Sequence, residues 1–299
     1  AQQEDDGDPQ ASLRTIETLL DRLRRTDLAG IHLLELHLHR LQVLMSLGRY
    51  SQVVDACSRA QVLLDRVLPS WGEFFRTTLR LEGAYCAVYL DPRPETADRL
   101  LESLEPADLP GTMRFIARSV RGELELTRGN VRTAALIQRV SLRYAGNWRS
   151  ILGSGSQWEL YILSMCLITD VELSPDDAVE LDADAVRVRA TSLLRDILSD
   201  PAPRQRDIPT IMAFAAAVGL SVVAAEDVGS DRRAAGAELV ATALAVGTNQ
   251  TCRLLSHDYL HSRTERLDAR ALAQAEERIR PLDRGELVAH AADLAGRLA

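Results

Sequence analysis

Apolar residues recur at helical spacing along most of the chain. From Ser12 onward, Leu13, Ile16 and Leu20 fall on one face of a predicted helix, and later segments repeat the same period. Glycine, proline or aspartate interrupts the pattern at short intervals, and no segment alternates apolar and polar residues as a half-buried strand would. The pattern predicts an all-α protein of about fourteen helices in roughly seven antiparallel pairs.

One spacing of small and aromatic residues organises the first part of the chain. Gly48 is followed by Tyr50, Val53, Cys57 and Ala60 at offsets of +2, +5, +9 and +12. A glycine at the first position lets one helix end and the chain turn back, because glycine has no side chain to restrict its backbone angles. Compact residues at the later positions let the returning helix lie close to its neighbour.

The same offsets recur in two further segments, Gly129–Ser141 and Gly229–Ala241. This spacing resembles the hinge and second helix of a tetratricopeptide repeat. The resemblance implies an α-solenoid of stacked helix pairs, because one pair alone cannot bury its apolar face, and a concave side that binds a ligand or partner. We expect residues 1–10 to be a disordered acidic tail. We expect residues 11–299 to form a single tetratricopeptide-like domain, more regular over 11–145 and looser over 146–299.

The composition narrows the class of protein. All 35 basic residues are arginine, and hydrophobic residues make up 46% of the chain while aromatic residues make up 4%. A lysine-free chain rich in arginine and alanine is typical of a GC-rich, actinobacterial genome. With its irregular helical repeats, the chain resembles the C-terminal region of large bacterial LuxR-type and antibiotic-regulatory transcription regulators. That resemblance implies a domain that senses an inducer or a partner protein, while a separate domain binds DNA.

Net charge and cysteine content limit the possible partners and the possible cellular compartment. The net charge of −8 disfavours direct binding of nucleic acid by this segment. The four cysteines are scattered in apolar helical contexts, so we expect reduced thiols in a cytoplasmic protein. No run of about 18 apolar residues could cross a bilayer, and we expect no membrane partner. The chain starts without Met and stops within a helical pattern, so we expect a piece of a larger protein; a homodimer stays open.

No motif points to a catalytic centre or a cofactor. Without lysine there is no Schiff-base lysine and no phosphate-loop lysine. The Gly153–Ser156 segment lacks the strand and the flanking residues of a phosphate-binding loop. His32, His37 and His39 are spread around one predicted helix rather than gathered on one face. We therefore expect a non-catalytic protein without a cofactor.

His257 and His261 form the one spacing that is typical of a metal site. They lie four residues apart, on one helix face, and Asp258 follows the first as glutamate does in the zinc-protease motif HExxH. Aspartate is one methylene shorter than the glutamate that serves as base, and only His290 follows far downstream as a further histidine. A metal-dependent hydrolase is therefore a distant alternative. The other interpretation is that the two histidines lie on an ordinary helix surface and bind no metal.

Aromatic residues and arginines could line a groove in the predicted array. The rings could also fill space between helix layers, and both interpretations are open. In the first, arginines would fix an acidic group of a small-molecule inducer or of a protein or peptide partner. A stand-alone scaffold for protein–protein interaction is the alternative function. The residues proposed for the groove are Trp71, Phe75, Arg76, Tyr85, Tyr89, Arg114, Arg118, Trp148 and Trp158.

Overall fold

The computed structural model confirms the all-helical class. It describes residues 9–23, 30–47, 49–67, 72–90, 95–102, 104, 111–145, 155–173, 183–199, 208–248 and 253–299. Within these ranges the chain forms thirteen α-helices and one short 3-10 helix, and no strand. The helices cluster into two compact units, residues 1–129 and 130–299. The sequence predicts a single domain over 11–299, which stays a prediction.

The first unit contains six of the described helices. They are α1 (Pro9–Leu23), α2 (Gly30–Ser46), α3 (Tyr50–Val67), α4 (Gly72–Leu90), α5 (Glu95–Glu102) and α6 (Gly111–Thr127). Because α1 begins at Pro9, the last two residues of the predicted tail belong to a helix, and proline suits the first turn because its missing N–H has no partner there. The rest of that tail, residues 1–8, lies outside the described residues.

Helices of the first unit pack against their neighbours in sequence. Each helix from α1 to α5 contacts the next one, and α4 also packs on α6. Val53, Cys57 and Ala60 of α3 are buried in the core that α1 to α4 share, as their spacing predicts, whereas Gly48 lies outside the described residues. This order of contacts is the one that stacked hairpins have. A tetratricopeptide-like or solenoid arrangement is not confirmed by it.

The second unit contains the other seven described α-helices. They are α7 (Val131–Ala145), α8 (Gly155–Glu172), α9 (Ala183–Leu198), α10 (Ile208–Ala224), α11 (Ser230–Val246), α12 (His257–Ile279) and α13 (Arg284–Leu298), with a 3-10 turn at Arg253–Leu255. Helices far apart in sequence pack here, because α8 contacts α10 and α9 contacts α13. Hairpins of a simple array contact only their sequence neighbours. A solenoid is therefore not confirmed for this unit either.

Helix α10 is the apolar centre of the second unit. Every residue from Ile211 to Val223 is buried, and the helix contacts α8, α9, α11 and α12. Gly219 of α10 faces Gly236 of α11, so the two backbones approach more closely than any side chain would allow. The α10–α11 pair is the hairpin that the spacing after Gly229 predicts. Gly229 itself has an ordinary extended backbone with a φ of −63°.

Helix α8 contributes charged groups to an otherwise apolar interior. Glu159 is 1% exposed and accepts a hydrogen bond from Nε of Arg189 on α9 at 2.6 Å. Asp170 Oδ2 accepts from Nη2 of Arg139 on α7 at 2.7 Å. Glu172, which is 29% exposed, forms an ion pair with Arg263 of α12. Three carboxylates of one helix thus bind arginines from three different helices, and Arg189 compensates the buried charge of Glu159.

Two local predictions are refined by the structure. The sequence predicts separate helices over 251–262 and 268–279, but α12 runs on from His257 to Ile279 with a kink at Asp268, where φ is −156° and ψ is 77°. The Asp268 carboxylate accepts a hydrogen bond from Ala271 N at 2.9 Å and so restarts the helix. Gly129 has a φ of +80°, as a helix-ending glycine should. Of the helices described, none has both the length and the apolar composition that crossing a bilayer requires.

Candidate functional site

A half-buried polar stripe runs along α4, the central helix of the first unit. Thr78, Glu82 and Tyr85 are spaced four and three residues apart, which places them on one face, and all three are partly accessible. On one flank of the stripe, Leu79 and Cys86 are buried in the core that α4 shares with α1 to α3. We call these three polar residues the α4 stripe.

Apolar contacts also bound the other flank of the α4 stripe. Leu81, Ala84 and Val88 are buried against residues of α5 and α6. The stripe therefore lies between two apolar cores, on the helix that connects them. A line of polar groups in this position has a hydroxyl, a carboxyl and a phenol ring within two helical turns.

Glu82 has the most unusual environment on the stripe. Its Oε2 atom is buried and has no hydrogen-bond partner in the part of the chain that the structure describes. Burial raises the pKa of the Glu82 carboxyl from an ordinary value of 4.5 to about 7, because the charged form is desolvated. The carboxyl is therefore protonated in a large fraction of molecules at neutral pH.

Two cysteines of the first core lie beside Glu82. Burial, then the nearby Glu82, raises the pKa of the Cys86 thiol to about 12, and the same causes raise the pKa of Cys57 further. Both are free thiols, as is the buried Cys166 of α8, whereas Cys252 lies outside the described residues. Thiols in this state are neutral and unreactive at physiological pH, so they act here as small apolar side chains.

Of the predicted groove residues, Tyr85 lies on the α4 stripe. Arg76 is nine positions earlier on α4, a spacing that places it on the opposite side of the helix. Arg114 and Arg118 share a face of α6 with Arg121, whose guanidinium pairs with Asp98 of α5. By helical spacing that face is offset from Val120 and Leu124, which pack on α4, and the shared groove of these arginines and Tyr85 stays a prediction.

The remaining groove residues cannot be placed on a surface. Trp71 and Trp148 lie outside the described residues. Phe75 and Tyr89 of α4 and Trp158 of α8 belong to described helices, but their side chains are outside the described part. The loop predicted at 153–156 is described only from Gly155, where α8 begins.

His257 and His261 lie side by side at the start of α12 without converging on a common point. Their rings stack, with centroids 6.1 Å apart and planes 6° from parallel. The Nε2 atom of His261 donates to Glu276 at 3.2 Å. Among the residues that the structure describes, no three His, Cys, Asp or Glu side chains could hold a metal ion together.

His290, the only further histidine downstream, is engaged elsewhere. Its Nε2 donates to Glu238 Oε1 at 2.7 Å, and Nη2 of Arg278 lies 2.7 Å from the other oxygen of Glu238. Burial would raise the pKa of Glu238, but the hydrogen bonds from Arg278 and His290 outweigh it and hold the pKa below its usual value. This cluster joins α11, α12 and α13, and within it the negative charge of Glu238 is compensated by Arg278 and by the hydrogen bond from His290.

The three histidines of α2 diverge, as their spacing predicts. His37 is 7% exposed, whereas His32 and His39 are exposed. His32 lies 3.3 Å from the Glu35 carboxylate one turn on. Nothing in this arrangement gathers the three rings into one coordination site.

Two of the three stripe residues, Thr78 and Glu82, were not among the residues predicted from the sequence. The available signal was a glutamate at position 82 within an otherwise apolar run, three residues before Tyr85. Helical period then places both on one face.

Comparisons with protein-family models, with curated proteins and with solved structures found no match.

Proposed function

We propose that this chain is a non-catalytic helical module that binds a ligand or a partner, and that it serves as the sensing domain of a bacterial transcription regulator. The observation that carries the binding role is the α4 stripe, which presents polar groups and a ring between two apolar cores. Surfaces that bind small molecules combine apolar walls with a few placed polar groups. The regulatory role rests on the resemblance to LuxR-type regulators.

The position of the stripe links binding to the packing of the unit. α4 contacts α3 on one side and α5 and α6 on the other. A ligand that binds along α4 therefore stabilises the contacts of both cores at once. Binding to the folded state raises the free energy of unfolding by RT ln(1 + [L]/Kd), where [L] is the ligand concentration, which makes thermal unfolding a direct readout.

The test is a thermal-shift screen of small metabolites, apolar, acidic and basic, against the purified chain. We expect at least one compound to raise Tm in the original chain and not in Tyr85→Ala. Arg80→Ala is the matched control, because Arg80 is another partly accessible residue of α4 that lies away from the stripe. Shifts that survive Tyr85→Ala but not Arg80→Ala would place binding elsewhere and contradict the proposal.

A protein-interaction scaffold is favoured by a different observation, on α7. Leu136 and Val140 are 45% and 40% exposed and lie one helical turn apart. Adjacent exposed apolar side chains are a feature of surfaces that contact other proteins. Thermal-shift screening without a hit, together with capture of a defined protein that Leu136→Ser/Val140→Ser releases, would favour the scaffold over the sensor.

A metal-dependent hydrolase at His257 and His261 has a direct test. Zinc measured at one equivalent per chain, and lost in His257→Ala, would support the hydrolase hypothesis. We expect substoichiometric zinc with no change on substitution, because His261 already donates to Glu276.

A further inference from the structure

The buried oxygen of Glu82 lies where the described residues of the surrounding helices supply no hydrogen-bond donor. Its Oε2 atom makes no hydrogen bond with the described residues. Native proteins satisfy nearly all of their buried polar atoms, so an exception needs a physical reason. On a stripe that binds a ligand, a donor group of that ligand is such a reason.

The neighbouring thiols cannot balance a charge on Glu82. Among the described side chains, Cys57 and Cys86 are the thiols that lie near the carboxyl, and burial keeps both neutral by raising their pKa values. On α3, the charged Asp55 and Arg59 are exposed and lie on the side of the helix away from Cys57. The α3 side therefore offers no compensating cation among the described residues.

Two arginines at the end of α6 are bound by α5. Asp98 of α5 pairs with both Arg121 and Arg128. Arg118 lies on the Arg121 face of α6, whereas Val120 and neighbouring apolar residues pack towards α4. The charged group on this apolar side of α6 is the buried carboxyl of Glu123, which supplies no cation to Glu82.

A cation matches this environment better than a neutral donor. An ammonium or guanidinium group donates hydrogen bonds and also makes the ionised carboxylate stable, which a neutral amide does less well. Tyr85 lies one turn along the same stripe, and the face of a phenol ring attracts cations. Carboxylate and ring together form a recognition pair for positively charged nitrogen.

We infer that Glu82 anchors the ligand of the α4 stripe by accepting hydrogen bonds from a cationic nitrogen beside the ring of Tyr85. The inference rests on the proposed function, since it names the chemistry of the ligand that the stripe binds. The cationic nitrogen belongs either to a free small amine or to a basic side chain of a peptide. Both sources share the ammonium or guanidinium group that Glu82 recognises.

Binding by this group depends on pH in a defined direction. The ionised carboxylate is the form that attracts a cation, and Glu82 becomes ionised as pH rises through about 7. A proton competes with the ligand below that pH. The Kd of a cationic ligand should therefore be about tenfold larger at pH 6 than at pH 8, which means weaker binding at the lower pH.

The experiment is calorimetric titration of the full chain with paired probes. Putrescine represents the free amine, and acetyl-Ala-Arg-Ala-amide represents the peptide side chain. The same peptide with citrulline in place of arginine is the neutral isostere. Each probe is titrated into the original chain, into Glu82→Gln and into Glu102→Gln, an exposed glutamate of α5 that serves as the control. Circular dichroism checks that each variant keeps its helices.

We expect a cationic probe to bind the original chain and Glu102→Gln alike, and to bind Glu82→Gln at least tenfold more weakly. The citrulline peptide should bind none of them measurably. Equal binding to Glu82→Gln, or equal binding of the arginine and citrulline peptides, overturns the inference. Failure of both cationic probes, while another metabolite binds in a Tyr85-dependent way, overturns the inference and leaves the proposed function standing. If no compound binds the stripe, both fall.

Discussion

Gly219 of α10 and Gly236 of α11 face each other so closely that each glycine borders the carbonyl oxygen of the other. A Cβ built on Gly219 would lie 2.5 Å from the Gly236 oxygen, and one built on Gly236 would lie 2.9 Å from the Gly219 oxygen. Separations below about 3 Å between a Cβ and a backbone oxygen force the helices apart, since backbone cannot swing aside as a side chain does. The crossing of these helices thus depends on two residues without side chains.

Substituting either glycine with alanine should destabilise the second unit. We expect Gly219→Ala to lower the free energy of unfolding by about 1–3 kcal/mol, as overpacking of a close interface does, and Gly236→Ala by a similar amount. Gly296→Ala is the matched control, because a Cβ there meets nothing within 4 Å. Alanine at that helical site should be neutral or stabilise by up to about 1 kcal/mol. Urea unfolding measures all three, and equal effects at the three sites would contradict the close-crossing account.

Glu82 should make the stability of the first unit fall as pH rises. The carboxyl binds its proton more tightly in the folded state, where its pKa is about 7, than in the unfolded state, where the ordinary value is 4.5. Its stabilising effect is therefore complete below pH 4.5 and is lost as pH rises through 7. The difference corresponds to about 3 kcal/mol at most.

Glu82→Gln isolates this effect, because glutamine resembles the protonated acid in shape and has no charge. We expect the variant to be more stable than the original chain at pH 8, and the two to be similar at pH 5. Thermal unfolding between pH 5 and pH 9 provides the measurement. A difference that does not grow with pH would show that the carboxyl is not buried in an apolar environment.

The Arg139–Asp170 pair should respond asymmetrically to single and double substitution. The two side chains are 9% and 19% exposed, and among the described residues Nη1 of Arg139 and Oδ1 of Asp170 have no hydrogen-bond partner. Arg139→Met leaves a half-buried carboxylate without its cation, which should cost about 3 kcal/mol. Arg139→Met/Asp170→Leu should recover most of that loss, because no uncompensated charge then remains. Denaturant unfolding of the cycle tests this, and additive single effects would mean that the pair does not interact.

Glu238 should contribute stability that acid removes. Its pKa lies below the ordinary 4.5 because Arg278 and His290 hydrogen-bond to the ionised form. The contribution is therefore present above the unfolded-state pKa and is lost as pH falls through the folded-state value. We expect Glu238→Gln to lower the free energy of unfolding by about 1–2 kcal/mol at pH 7, and by much less at pH 3.5. Glu277→Gln, in an exposed ion pair with Arg280, should change little at either pH.

The helices and their turns were predictable because their causes are local. Helical period predicts about fourteen helices, and the described residues form thirteen α-helices. Val53 and Ala60 are buried because their spacing puts them on the face towards α2 and α4. Gly129 ends a helix with the positive φ that glycine adopts at no steric cost.

The α4 stripe and the charge pairs depended on the packing of helices. Of the stripe residues, Tyr85 alone was predicted from the sequence, because an aromatic ring is conspicuous there. The raised pKa of Glu82 was not predictable in this way, because it results from burial near Cys57 of α3. The predicted grouping of Tyr85 with Arg114 stays a prediction, since residues on two helices share a surface only if the right faces meet. Periodicity gives the faces of each helix separately and says nothing of how two helices are turned towards each other.

Local preference was therefore enough for the all-helical class, the hairpin turns and the small residues at helix contacts, since a few neighbouring residues set each of them. Tertiary packing determined that the Glu82 carboxyl is desolvated and which arginine each acid of α8 binds. It also determined that α10 and α11 cross at Gly219 and Gly236. Burial and ion pairing are properties of three-dimensional neighbourhoods, assembled here from helices that lie about 20 to 90 residues apart in the chain. No short stretch of sequence contains that information.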